Sequence, residues 1–136
     1  MLRHATLVLF SFCVLANGQQ PDSDKTVGML NGRGWERLGS QKVVFIFGFF
    51  EGIAASTTMV SIVDDRTATK VSDTFLINKF TFGETAKELD KLYSDQTNIL
   101  VPIAMMITHV RMMLKGESTK AELEQNLIQL RRIYNK

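Results

Sequence analysis

The sequence predicts an all-α protein, a compact bundle of about five helices behind an N-terminal signal peptide. Three observations carry this reading. Apolar residues recur at steps of three and four in the C-terminal half, as in Ile99, Ile103, Met106, Val110 and Met113. Thr81-Phe82-Gly83-Glu84 and Thr119-Lys120-Ala121-Glu122 each set a hydroxyl and a glutamate at capping-box spacing. Strand-like alternation is scarce, and only two prolines interrupt the 136 residues.

Residues 1–18 read as a signal peptide. Arg3 and His4 form a short basic region, Ala5 to Ala16 an apolar one, and Val14-Leu15-Ala16 a cleavage site. The apolar stretch is shorter than the roughly 20 residues of a membrane helix. Cys13, the one cysteine, leaves with it, so the mature chain is expected to have no disulfide and no cysteine metal ligand. Residues 19–29 are polar and punctuated, a flexible leader, and 30–136 make one helical domain.

Asn31 caps a short helix that carries Trp35 and Leu38. Ser40 caps the next, which runs from Gln41 to about Val63. Asp64-Asp65-Arg66 ends it, and residues 64–73 read as a solvated loop. Phe75, Leu76, Ile77 and Phe80 suggest a further helical turn or two. The Thr81 box opens a helix with Ala86, Leu89, Leu92 and Tyr93 on one face. Asn98 or Asp95 caps the following helix, and Pro102 sits in its first turn, where a missing N–H costs little. Lys115-Gly116 stops it with a cation and a left-handed glycine. Leu123, Leu127, Leu130 and Tyr134 line the last helix, so segments 98–115 and 118–134 should form an antiparallel hairpin.

The most apolar run of the mature chain, residues 43–56, holds one carboxylate, Glu51. A central charge costs about 3 kcal/mol on an insertion scale, close to what the apolar side chains return. The two C-terminal helices need a third surface to bury against, which favours a core helix over a membrane span. In a core, Glu51 needs donors, and Trp35, Tyr93, Asn98 and His109 are the candidates. Glu51 is then either a structural anchor or a contact for a ligand or partner.

Enzymatic chemistry is not indicated. With one histidine in the mature chain, His109, no Cys–His pair or zinc cluster can be drawn, and no phosphate loop or nucleophile elbow is present. No cofactor is implied. Met105, Met106, Met112 and Met113 flank His109, a set that suits Cu(I) but fits core packing equally in type. The net charge of +2, or +1 once Arg3 is removed, is dispersed along the chain, which argues against nucleic acid and anionic membrane surfaces as partners.

Several short strings resemble one family. Gly34-Trp35, Gln41-Lys42, Phe45-Ile46-x-Gly48-x-x-x-Gly52, Thr81-x-Gly83-Glu84, Tyr93-x-Asp95-x-x-Asn98 with Pro102-Ile103, and Lys115-Gly116 occur in an order similar to the Rap/Tai immunity family. The resemblance implies a small exported helical protein that binds and blocks a peptidoglycan-cleaving amidase in the periplasm. The family's typical cysteines are missing here. The resemblance assigns an inhibitory contact to no position. From the residues themselves, Glu51, Trp35, Tyr93, Asp95 and Asn98 are the candidates for binding, with a structural role as the other reading, and another protein is the expected partner. The alternative is a carrier of a small ligand or of copper, or a structural helical protein.

Overall fold

A computed structural model describes residues 22–75, 80–116 and 118–136. The expected signal peptide, Leu76 and Ile77 lie outside the described residues. The architecture is all-α. Its helices are α1 (Gly32–Arg37), α2 (Lys42–Ser61), α3 (Asp65–Phe75), α4 (Phe82–Ser94), α5 (Ile103–Lys115) and α6 (Lys120–Tyr134).

The stretch read as a solvated loop is helix α3. Its Thr, Ser and Asp content hid an apolar stripe at Ala68, Val71 and Phe75, which packs back along α2. Asp64 starts the helix by accepting from the Thr67 backbone N–H and hydroxyl, and those bonds hold its carboxyl below the usual range. Ser40 does not cap α2. Gly39–Gln41 is instead a 3₁₀ turn that runs straight into the helix, with Gly39 at φ +52°.

Much of the expected leader is ordered. Asp22–Asp24 form a 3₁₀ turn, followed by strands β1 (Lys25–Thr26) and β2 (Met29–Leu30) paired antiparallel. The Val27-Gly28 turn between them has both residues at positive φ, as a two-residue hairpin requires. The anchor is Asn31, whose amide donates to the Ser23 carbonyl and the Thr26 hydroxyl, each at 3.1 Å. Its Oδ1 meanwhile caps α1 through the N–H groups of Arg33 and Gly34. Asp24 is fully buried 3.2 Å from the Arg37 guanidinium.

Trp35, Ile46, Phe50, Leu89, Tyr93, Val101, Ile103, Met106, Ile107 and Val110 make the core. Both capping boxes form as expected, and the backbone N–H of Thr81 and of Thr119 holds its glutamate, Glu84 or Glu122, below the usual carboxylate range. Helix α5 begins later than expected, because Asp95 caps a separate 3₁₀ turn, Gln96–Asn98, and Pro102 stands at the N-cap of α5. The C-terminal hairpin is antiparallel: His109 meets Asn126, Asn98 meets Arg131, and Asn135 meets Thr97. Gly116 closes α5 at φ +68°. Met113 is only half-buried, whereas Met106 is fully enclosed.

The helical glycines fall into two kinds. A Cβ on Gly32 would lie 2.5 Å from the Tyr93 ring, but one on Gly48 or Gly52 would meet nothing within 4 Å. Gly32→Ala is therefore expected to cost about 1–3 kcal/mol. Gly52→Ala should stabilise by about 0.5–1 kcal/mol, since alanine is the better helix former. Denaturant midpoints of the two variants should move in opposite directions.

Candidate functional site

Four of the five sequence-predicted site residues build the frame. The Trp35 indole donates to Asp90 Oδ1 at 2.9 Å, and Lys42 Nζ reaches the same oxygen at 2.7 Å while lying 5.1 Å above the indole ring. This knot ties α1 and the start of α2 to α4. The Tyr93 hydroxyl donates to the Val101 carbonyl at 2.8 Å, and burial pushes the phenol pKa up. Asn98 donates to the Leu92 carbonyl at 2.6 Å and accepts from Arg131 Nε at 2.7 Å. Asp95 accepts from the Thr97 hydroxyl and backbone N–H, which hold its carboxyl low, and pairs with Arg131 at 2.7 Å.

Glu51 does not join them. It is exposed on α2, and none of Trp35, Tyr93, Asn98 or His109 turns to it. The expectation of a carboxylate buried at a helix crossing is overturned, because α2 buries Ile46 and Phe50 and leaves the Glu51 side facing out. The donors proposed for it all have other partners, Asp90, Val101, Leu92 and Asn126.

His109 is buried between α5 and α6, where its Nδ1 donates to Asn126 Oδ1 at 2.9 Å. Met106 lies in the core. Met105, Met112 and Met113, the rest of that set, are half-buried. Among the described residues no group of three or more His, Asp or Glu is placed to hold a metal ion.

Among the described residues, the side of α2 that faces α3 is left open. Gly48, Phe49, Gly52, Ile53, Ser56 and Thr57, with Val60, Val71 and Phe75, line an apolar groove of about 560 Å³. Its hydroxyls are turned inward: Ser56 and Thr57 each donate to the carbonyl four residues back, at 2.8 Å. The groove can take apolar matter that needs no hydrogen bonds. Glycine spacing of four, Gly48-x-x-x-Gly52, marks one wall in the sequence; the other wall was hidden while 64–73 read as a loop.

Comparison of the chain with family models, with curated proteins and with solved structures finds no match.

Asn98→Ala removes an acceptor for Arg131 and the donor to Leu92, and is expected to cost about 2–3 kcal/mol. Glu51→Gln should leave stability within about 0.5 kcal/mol of wild type, as for an exposed position. Paired urea titrations check both.

Proposed function

We propose that the chain is an exported, non-enzymatic binding protein, which receives an apolar helix of a protein partner against the glycine side of α2. One observation carries this. Gly48 and Gly52 sit mid-helix, where glycine costs about 1 kcal/mol each relative to alanine. No described atom lies within 4 Å of a Cβ built on either, so nothing among the described residues accounts for their small size. Close backbone approach by another element is what such glycines serve.

The resemblance to the Rap/Tai immunity family points the same way. Trp35, the Thr81 box, Tyr93, Asn98 and Gly116 all have structural work, as bonded partner, cap, core or helix stop. Gly48 and Gly52, from the same set of landmarks, do not. A peptidoglycan-cleaving amidase is therefore the first partner to test. The groove's volume also lies within the range of small-molecule pockets, which supports an apolar ligand as the second reading.

Purified protein is expected to block peptidoglycan hydrolysis by such an amidase at stoichiometric ratio. Gly48→Leu/Gly52→Leu should keep the fold and lose inhibition. No inhibition by the wild type would remove the immunity role; inhibition by the double variant would move the contact elsewhere. A lipid or similar apolar molecule found by native mass spectrometry would favour the second reading.

A further inference from the structure

Beside the groove, α2 exposes apolar side chains along its length, with Glu51 among them. Val43, Val44 and Phe47 are exposed at its start, and Met59, Ile62 and Val63 at its end and in the following turn, at 73, 83 and 89 %. Phe82 of α4 meets Phe47 edge to face, 5.6 Å between ring centroids, and widens the surface. The segment Gly39–Ser61 is long and apolar enough to cross a membrane by length and composition, yet only 11 % of its most apolar window is buried. A helix apolar all round belongs in a core or in lipid. This one is scarcely in the core.

Two features select lipid over a protein surface. The exposed hydroxyls of Thr58 and Ser61 turn back to the carbonyls of Ala54 and Thr58, at 3.0 and 2.8 Å. The surface thus offers few groups for the hydrogen bonds of a protein interface, about one per 100–200 Å². Acyl chains need none. Charge is confined to Glu51; Lys42 at the entry is held by Asp90, and Asp64 and Asp65 stand beyond the exit. A two-fold pairing of α2 with a second copy about Glu51 would bring like charges together.

We propose that α2 docks the protein on a lipid bilayer, lying in the interface plane with Val44, Phe47 and Ile62 toward the acyl chains. Glu51 lies within the same stripe, four residues after Phe47, and the cost of burying its charge keeps the helix shallow. Attachment is apolar in origin and requires no anionic lipid. The stripe adjoins the glycine side that the partner reading uses, Met59 standing seven residues after Gly52, so a reporter at Phe47 is what tells the two apart.

The test places a reporter on the surface itself. Phe47→Trp in the full chain is mixed with vesicles of brominated phosphatidylcholine, and its added emission should be quenched. Trp35, buried in the fold, should stay bright in the wild type. In vesicle flotation, Glu51→Gln should raise partition about fivefold or more by removing the one charge. Phe47→Glu/Ile62→Glu, at exposed positions, should lower it at least as far with an unchanged melting curve. Emission from Phe47→Trp that stays unquenched at saturating lipid overturns the proposal, even if another part of the chain holds the protein to the vesicle. So does binding confined to phosphatidylglycerol vesicles, or a dimer in sedimentation that the acidic pair dissolves.

Discussion

The Tyr93 ring lies where three stretches of chain meet, and its position leaves room for only a hydrogen on the Gly32 α-carbon. The Gly32 N–H donates to the Ile99 carbonyl at 2.8 Å, and the Tyr93 hydroxyl donates to Val101. A buried phenol without an acceptor is costly, so the turn 96–102 must pass at that height for α4 to pack. From this joint α1, α4 and α5 take their places. Asn98, one turn away, then draws in α6 through Arg131. Asn31, Trp35, Tyr93 and Asn98 are each paired at short range, which favours one arrangement of helices over a family of them.

Helix α2 obeys different constraints. It enters the joint only through its first half, by Ile46, Phe50 and the Lys42–Asp90 pair. Its second half is held by α3, a helix of polar composition with a narrow apolar stripe. The chain thus commits its densest packing to scaffolding and leaves its most apolar helix largely facing outward. That division gives the aromatic and amide residues of the frame, where the sequence first suggested binding, structural partners of their own.

Local signals carried most of the fold. Thr81, Thr119, Asn31 and Gly116 act on backbone groups within four residues, and each does what its spacing implies. Two readings failed because they depended on distant partners. Residues 64–73 looked like a loop since their helix is stabilised by Asp64 and by packing on α2, not by apolar content. Glu51 looked buried because a carboxylate in an apolar run usually is; which side of α2 faces the core is decided by the chain around it, and periodicity was weak there, apolar residues occupying every side. The groove needed both α2 and α3, so only its glycine wall was legible.

The β1–β2 hairpin sets a limit on how far proteases can trim the chain. Asp24, fully buried against Arg37, and the Ser23 carbonyl that receives Asn31 are both structural partners of α1. A cut ahead of residue 22 removes none of these bonds. One within 22–30 would strip the cap residue of its anchors and leave the Arg37 guanidinium without its carboxylate. Any trimming of the N-terminus would therefore meet a physical boundary, drawn by a carboxylate and an amide.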